Sequence, residues 1–257
     1  MIDLKTPVPD GVLLGGSEAP LLSHMQAEGG VWFKGRKDDF ETEDIDGAKV
    51  PTAWHSVTGD KIARPAQPNT GLGRLVDQGS SMALSFHKGK NGGFTVPGIA
   101  DTALNYSVAV VFRSPTRNAK TIVSVGTETG ENFFFVNEVD GQIDAKDRSN
   151  GIGLQFDRPA STLRSTLLVL SVSPKRIRVK LGLGPMYEAR GSLTKFDAPA
   201  ELFIGCRNHR PGLAKTLGDH SISDVMYIPD RHILSPEGKA HAPLLSLLED
   251  YWRWTCT

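Results

Sequence analysis

The sequence predicts an all-β sandwich with an irregular N-terminal arm and a C-terminal amphipathic helix. Three observations carry that prediction. From Val31 onward, short apolar runs alternate with turn clusters, the pattern of a many-stranded antiparallel fold. Within one run, Arg176 to Leu181, the apolar Ile177, Val179 and Leu181 alternate with Arg176, Arg178 and Lys180, so one strand face is buried and the other wet. Helical spacing of large apolar residues is clearest near the C-terminus, in Leu244, Leu247, Leu248, Tyr251 and Trp252.

In chain order, residues 1–30 hold Pro7, Pro9, Gly11, Gly15, Gly16, Pro20, Gly29 and Gly30, a density of breakers that interrupts strands and helices. This segment is expected to be an arm. Val12, Leu13, Leu14, Leu21 and Leu22 are too apolar for a solvated tail, so it either frays or orders against a neighbour. Residues 31–257 form the sandwich. Ser107 to Arg113, rich in β-branched residues and ending at Ser114-Pro115, and Leu167 to Val172, almost wholly apolar and running into Ser173-Pro174, read as central strands covered on both faces. Further strands are expected at Met82 to His87, Thr121 to Val125, Asn132 to Asn137, Gly151 to Phe156, Leu202 to Cys206 and Ser221 to Ile228. Pro243 then starts a helix over about Ala242 to Trp254.

Composition excludes several function classes. Among the 257 residues, 29 Lys and Arg balance 29 Asp and Glu, which removes the electrostatic footprint needed for nucleic acid or an anionic membrane surface. No stretch reaches the roughly 18 apolar residues of a membrane span. Met1-Ile2-Asp3-Leu4-Lys5 lacks the charged-then-apolar layout of an export signal, so folding in a cytosol is expected. Cys206 and Cys256 are too few for a disulfide framework or, alone, a zinc site; Cys206 reads as a buried strand residue.

Four stretches, taken in order, resemble the concanavalin A-like lectin/glucanase superfamily in its laminin-G-like branch. Val31-Trp32-Phe33 with Ala53-Trp54-His55-Ser56-Val57-Thr58-Gly59 looks like an opening strand and a tryptophan-containing turn. Ser81 to Phe86, Phe94-Thr95-Val96-Pro97-Gly98 and Tyr106 to Arg113 are similar to a strand, a Gly-rich turn and a long central strand. Leu168 to Ser173 with Arg176 to Lys180 resembles the paired middle strands, and Gly218 to Ile228 with Leu234-Ser235-Pro236-Glu237 the final strand and helical tail. The resemblance implies a jelly-roll β-sandwich. It does not fix a function, because the superfamily contains lectins, adhesion modules and some glycoside hydrolases.

The residues argue against catalysis. Hydrolases of this superfamily carry carboxylates at i, i+2 and i+4 on one strand face. In the acidic segment Asp38 to Asp46, Glu41 and Glu43 share a face with Ile45, while Asp44 and Asp46 share the other with Thr42, so neither face has the triad and a solvated loop is expected. His24, His55, His87, His209, His220, His232 and His241 are scattered, no Gly-x-Ser-x-Gly elbow is present, and Gly71-Leu72-Gly73 is not continued into a dinucleotide fingerprint. No metal or cofactor is assigned. Asp140, Asp144 and Asp147 fall in one region where members of the family sometimes hold calcium, but the spacing matches no EF-hand.

Glycan sites combine an aromatic platform with planar hydrogen-bond donors. Two segments offer such groups: Trp54 and His55, against the alternative that Trp54 packs under the sandwich edge, and Arg207, Asn208, His209 and Arg210, against the alternative of a solvated loop. Phe133-Phe134-Phe135 must present at least one ring outward unless the strand is covered on both faces. An adhesion fold without an export signal is expected on a particle assembled in the cytoplasm and released by lysis. The expected function is therefore a non-catalytic surface protein of a phage or gene-transfer-agent-like particle. As a spike or fibre component in host attachment, it would bind host cell-surface polysaccharide, dock on other particle proteins through residues 1–30, and assemble as a homo-oligomer. A purely architectural protein-binding module is the alternative, and a glycoside hydrolase the third reading.

Overall fold

The computed structural model describes residues 17–69, 71, 73–79, 81–101, 105–127, 133–160, 165–193, 199–208, 214–235 and 242–255. The described chain opens with a helix, α1 (Glu18–Ala27), where an irregular arm was expected. Pro20 falls in the first turn, where its missing N–H is not needed, and Gly29 (φ +63°) takes the left-handed conformation just past the end. Leu21 and Met25, one turn apart, are fully buried. Val12, Leu13 and Leu14 lie outside the described residues.

Seventeen strands follow among the described residues: β1 (Val31–Lys34), β2 (Phe40–Ile45), β3 (Ala48–His55), β4 (Ile62–Pro65), β5 (Arg74–Asp77), β6 (Met82–Phe86), β7 (Phe94–Ala100), β8 (Tyr106–Arg113), β9 (Lys120–Thr127), β10 (Phe133–Val139), β11 (Gln142–Asp147), β12 (Gly153–Asp157), β13 (Thr166–Ser173), β14 (Arg176–Leu181), β15 (Met186–Arg190), β16 (Ala200–Ile204) and β17 (His220–Pro229). They make an eight-stranded sheet, ordered β15-β14-β13-β8-β17-β6-β5 with β1 also on β17, and a nine-stranded sheet, ordered β12-β11-β10-β9-β16-β7-β4-β3-β2. All paired strands are antiparallel. A register shift between Ile222 and Asp224 divides β17, so that its first part pairs with β6 and its second with β1. The fold is the jelly-roll β-sandwich that the resemblance implies.

One core lies between the sheets, where Val108, Val110, Phe112, Leu168 and Leu170 of the first pack with Val123, Val125, Phe134, Val136 and Leu202 of the second. A second core covers the outer face of the eight-stranded sheet. There Ala109, Val111, Leu167, Val169 and Met226 meet α1 and the C-terminal helix α2 (Ala242–Thr255) through Leu21, Met25, Leu244, Leu248, Tyr251 and Trp252. The centres of β8 and β13 are thus buried on both faces, as their largely apolar sequences predict.

Three further expectations are corrected. The acidic segment is not a loop: Phe40–Ile45 is edge strand β2, closed onto β3 by Asp46 (φ +53°) and Gly47 (φ +77°), whose positive φ values suit a tight hairpin. Its exposed Glu41, Thr42, Glu43 and Asp44 form a charged edge that discourages pairing with another chain. Phe94–Ala100 is strand β7 rather than a turn, with Pro97 and Gly98 exposed. The polar face of β14 is only partly wet: Arg178 is buried and donates to Glu188 (2.6 Å), its register partner on β15, while Lys180 pairs with Glu249 of α2.

Candidate functional site

Of the residues singled out from sequence, Trp54 is not available to a sugar. It lies at the end of β3, fully buried, stacked on Phe40 at 4.9 Å and tilted against Phe33, with its Nε1 donating to the Lys34 carbonyl at 2.9 Å. The tryptophan-containing turn is therefore a strand, and the indole is a packing element. His55 is partly exposed and contacts Glu41 at 2.7 Å, a surface pair of small energetic value. Arg207 and Asn208 follow β16, with Asn208 buried; His209 and Arg210 lie outside the described residues. Trp54 and Arg207 belong to different parts of the structure and do not form one site.

Arg207 is positioned by backbone chemistry. Gly205 has φ +70°, and a Cβ there would meet the Phe86 ring at 2.3 Å, so the strand breaks at this residue. Cys206 is buried as expected, and burial pushes its thiol up to about 12, which removes it as a nucleophile. Cys256 lies outside the described residues. The Arg207 guanidinium sits 3.8 Å from the centre of the Phe135 ring. The three aromatics of β10 therefore divide: Phe134 enters the core between the sheets, while Phe133 and Phe135 face outward beneath cations and are buried as well.

A second set of groups converges at the eight-stranded sheet, around a cleft of about 350 Å³. Ser85, Ser221 and Arg113 form a cross-strand row over β6, β17 and β8. Their neighbours Leu84, Ile222 and Phe112 are in the core between the sheets, so alternation turns the row to the outer face. Val76, Phe86 and Pro115 add apolar wall, and Asp77, Gln78, His87, Thr116, Asp219 and His220 complete the lining. Gln78 Nε2 donates to Ser221 Oγ at 2.7 Å, Asp77 Oδ1 accepts from the Gly79 amide at 2.7 Å, and Asp219 Oδ1 accepts from the Lys88 amide at 2.9 Å. Arg113 and His87 are exposed at the rim.

This arrangement can bind a polyhydroxylated molecule, whose hydroxyls match carboxylate, amide and guanidinium groups and whose apolar faces match Val76 and Pro115. Asp77 and Asp219 are both exposed at the edge of the cleft. Sequence reasoning missed the cleft because its residues come from four separate chain segments, each contributing two or three ordinary polar side chains.

Among the described residues no cluster of three or more His, Cys, Asp or Glu is placed to hold a metal ion. The pleat separates the three aspartates of the region where members of the family sometimes hold calcium. Asp144 pairs with Lys146 at 2.7 Å, whereas Asp147, three residues on and fully buried, accepts from the Ile152 amide at 3.1 Å; Asp140 occupies the hairpin turn with φ +51°. The three carboxylates do not converge.

No protein-family model and no curated protein matches the chain. Solved structures do. The binding domain of Paraclostridial Mosquitocidal Protein 1 is similar with a TM-score of 0.54 and 11% identity, covering 88% of this chain and 53% of that one. An arabinofuranosidase complexed with arabinofuranosyl-alpha-1,2-xylobiose gives 0.53 and 10%, covering 79% and 51%. This chain thus spans about half the length of each. The likeness is one of fold.

Proposed function

We propose that the chain is a non-catalytic carbohydrate-binding module. The observation that carries this reading is the cleft, where an apolar wall of Val76, Phe86 and Pro115 meets a rim of Gln78, His87, Arg113, Asp77 and Asp219. Support comes from the fold, shared with the binding domain of Paraclostridial Mosquitocidal Protein 1 and with an arabinofuranosidase solved in complex with a saccharide. The test is an array of bacterial, plant and animal glycans probed with the intact chain and with Arg113→Ala. Retention of one glycan class that falls at least tenfold in the variant supports the reading. Equal retention by both proteins, or turnover of the retained glycan, contradicts it.

The setting we propose is the surface of a phage or phage-like particle, where the module is a spike or fibre component that attaches to host polysaccharide as a homo-oligomer. α1 and α2 pack together on the outer face of the eight-stranded sheet, so residues 1–16 lead into an anchored helix. Sedimentation of the intact chain beside a version lacking residues 1–16 checks the docking role. Discrete oligomers or particle association of the intact chain, lost on truncation, support it; two identical monomers contradict it. The truncation must spare α1, because Leu21 and Met25 are core residues.

A further inference from the structure

The outer face of the nine-stranded sheet carries a feature that the cleft does not explain. Alternation along β10 puts Phe133, Phe135 and Asn137 on that face, and register brings Ser124, Phe203 and Thr95 alongside Phe135. The Phe133 and Phe135 rings lie 5.7 Å apart. Three cations stand over this floor: Arg207 at 3.8 Å and Lys146 at 5.9 Å from Phe135, and Arg148 at 5.9 Å from Phe133. The carboxylates beside them are Asp144, already paired with Lys146 at 2.7 Å, and Glu201.

Arg207 is the unusual member. Its Nε is buried without a hydrogen-bond partner, and among the described residues no carboxylate forms an ion pair with it. A half-buried guanidinium ordinarily acquires a counter-anion, because desolvating a charge costs several kcal/mol unless it is paired. The charge of Asp144 acts on Arg207, but that carboxylate is committed to Lys146. Below, the Thr121 Oγ1 is fully buried and the Asn137 Oδ1 is buried, both without partners, and the two residues face each other across β9 and β10. Packing over the Phe135 ring at 3.8 Å restricts the guanidinium before any ligand arrives. Such preorganisation lowers the entropy cost of binding a planar, two-oxygen acceptor.

We infer that the Arg207 shelf is a second ligand site, which takes the carboxylate of an acidic sugar in a two-pronged guanidinium contact, with Lys146 and Arg148 adding charge. This rests on the reading of the chain as a carbohydrate-binding module and adds the acidic class to its ligands. Uronic and sialic acids share the chemistry, and the test separates them.

The experiment is calorimetric titration of the full chain, at low salt, with trigalacturonic acid and with trisialic acid, each beside its methyl ester. Arg207→Ala, Arg207→Lys and the cleft variant Arg113→Ala are titrated in parallel, with melting curves confirming that each is folded. At least one acid is expected to bind, its uncharged ester at least tenfold more weakly. Arg207→Ala should lower that affinity at least tenfold, Arg207→Lys should recover part of it, and Arg113→Ala should leave it unchanged. Whichever acid responds names the source. No binding of either acid, esters that bind as well as acids, or an unchanged affinity in Arg207→Ala overturns the inference. Neutral-glycan binding that is lost in Arg113→Ala while the acids fail removes the second site only; acid binding lost in Arg207→Ala with no glycan response at Arg113 removes the cleft reading and keeps the shelf.

Discussion

His220 shows how a single buried side chain sets the acid limit of the sandwich. Its ring is 4% exposed and stacks on Phe86 at 4.6 Å, and burial pushes its pKa down to about 4. Unfolded, the same histidine protonates near 6.5. The native state therefore holds its full advantage above about pH 6.5 and loses it as the pH falls towards 4, by about 3 kcal/mol in total for this residue. His232 is likewise held down to about 4, by burial first and then by Arg178, and acts in the same direction. Asp224 acts oppositely. It is buried, accepts from Trp32 Nε1 at 3.1 Å and Tyr251 OH at 2.9 Å, and burial raises its pKa, so its ionisation costs stability as pH rises. Urea denaturation at pH 7.5 and pH 4.5 should show the loss at acid, and His220→Phe, which keeps the stack, should flatten part of it. An unchanged slope in that variant would remove His220 from the account.

At the scale of elements, helix α2 is held by a narrow apolar stripe, and its residues should differ sharply in cost. Leu248 is fully enclosed against the outer face of the eight-stranded sheet, so Leu248→Ala should destabilise by about 2–4 kcal/mol. The partly buried Leu245 should cost less than half as much in the same denaturation assay; equal costs would mean that the helix does not pack as described. This stripe was legible in the sequence because Leu244, Leu248, Tyr251 and Trp252 repeat at helical spacing along one face. β8 and β13 were legible for a similar reason, as runs of eight residues with hardly a polar interruption. α1 was not, since only Leu21 and Met25 are fully buried within ten residues that include Pro20. β2 was hidden by its charges, although Asp46-Gly47 is a hairpin signal of the usual kind. In the candidate sites, Arg207 was visible as a donor-rich segment after a strand, while its stacking partner Phe135, 72 residues earlier, could be joined to it only by sheet register.

For the whole molecule, the two faces of the sandwich have different tasks. The eight-stranded sheet spends most of its outer surface on α1 and α2, with Glu18–Lys34 and Lys180–Glu249 ion pairs fastening the helices to the strands. Its cleft and the Arg207 shelf of the nine-stranded sheet remain as surfaces rich in hydrogen-bonding groups. Single saccharide contacts are weak, and repetition of the module in an oligomer would raise their combined strength by effective concentration rather than by new contacts. The most direct test of the central claim is an amide chemical-shift titration of the full chain with the glycan that the array selects. The expected result is perturbation centred on residues 76–78, 85–87, 113–116 and 219–221, saturating with the ligand and absent in Arg113→Ala. Shifts confined to other surfaces, or no saturable response to any glycan, would contradict carbohydrate binding at this cleft.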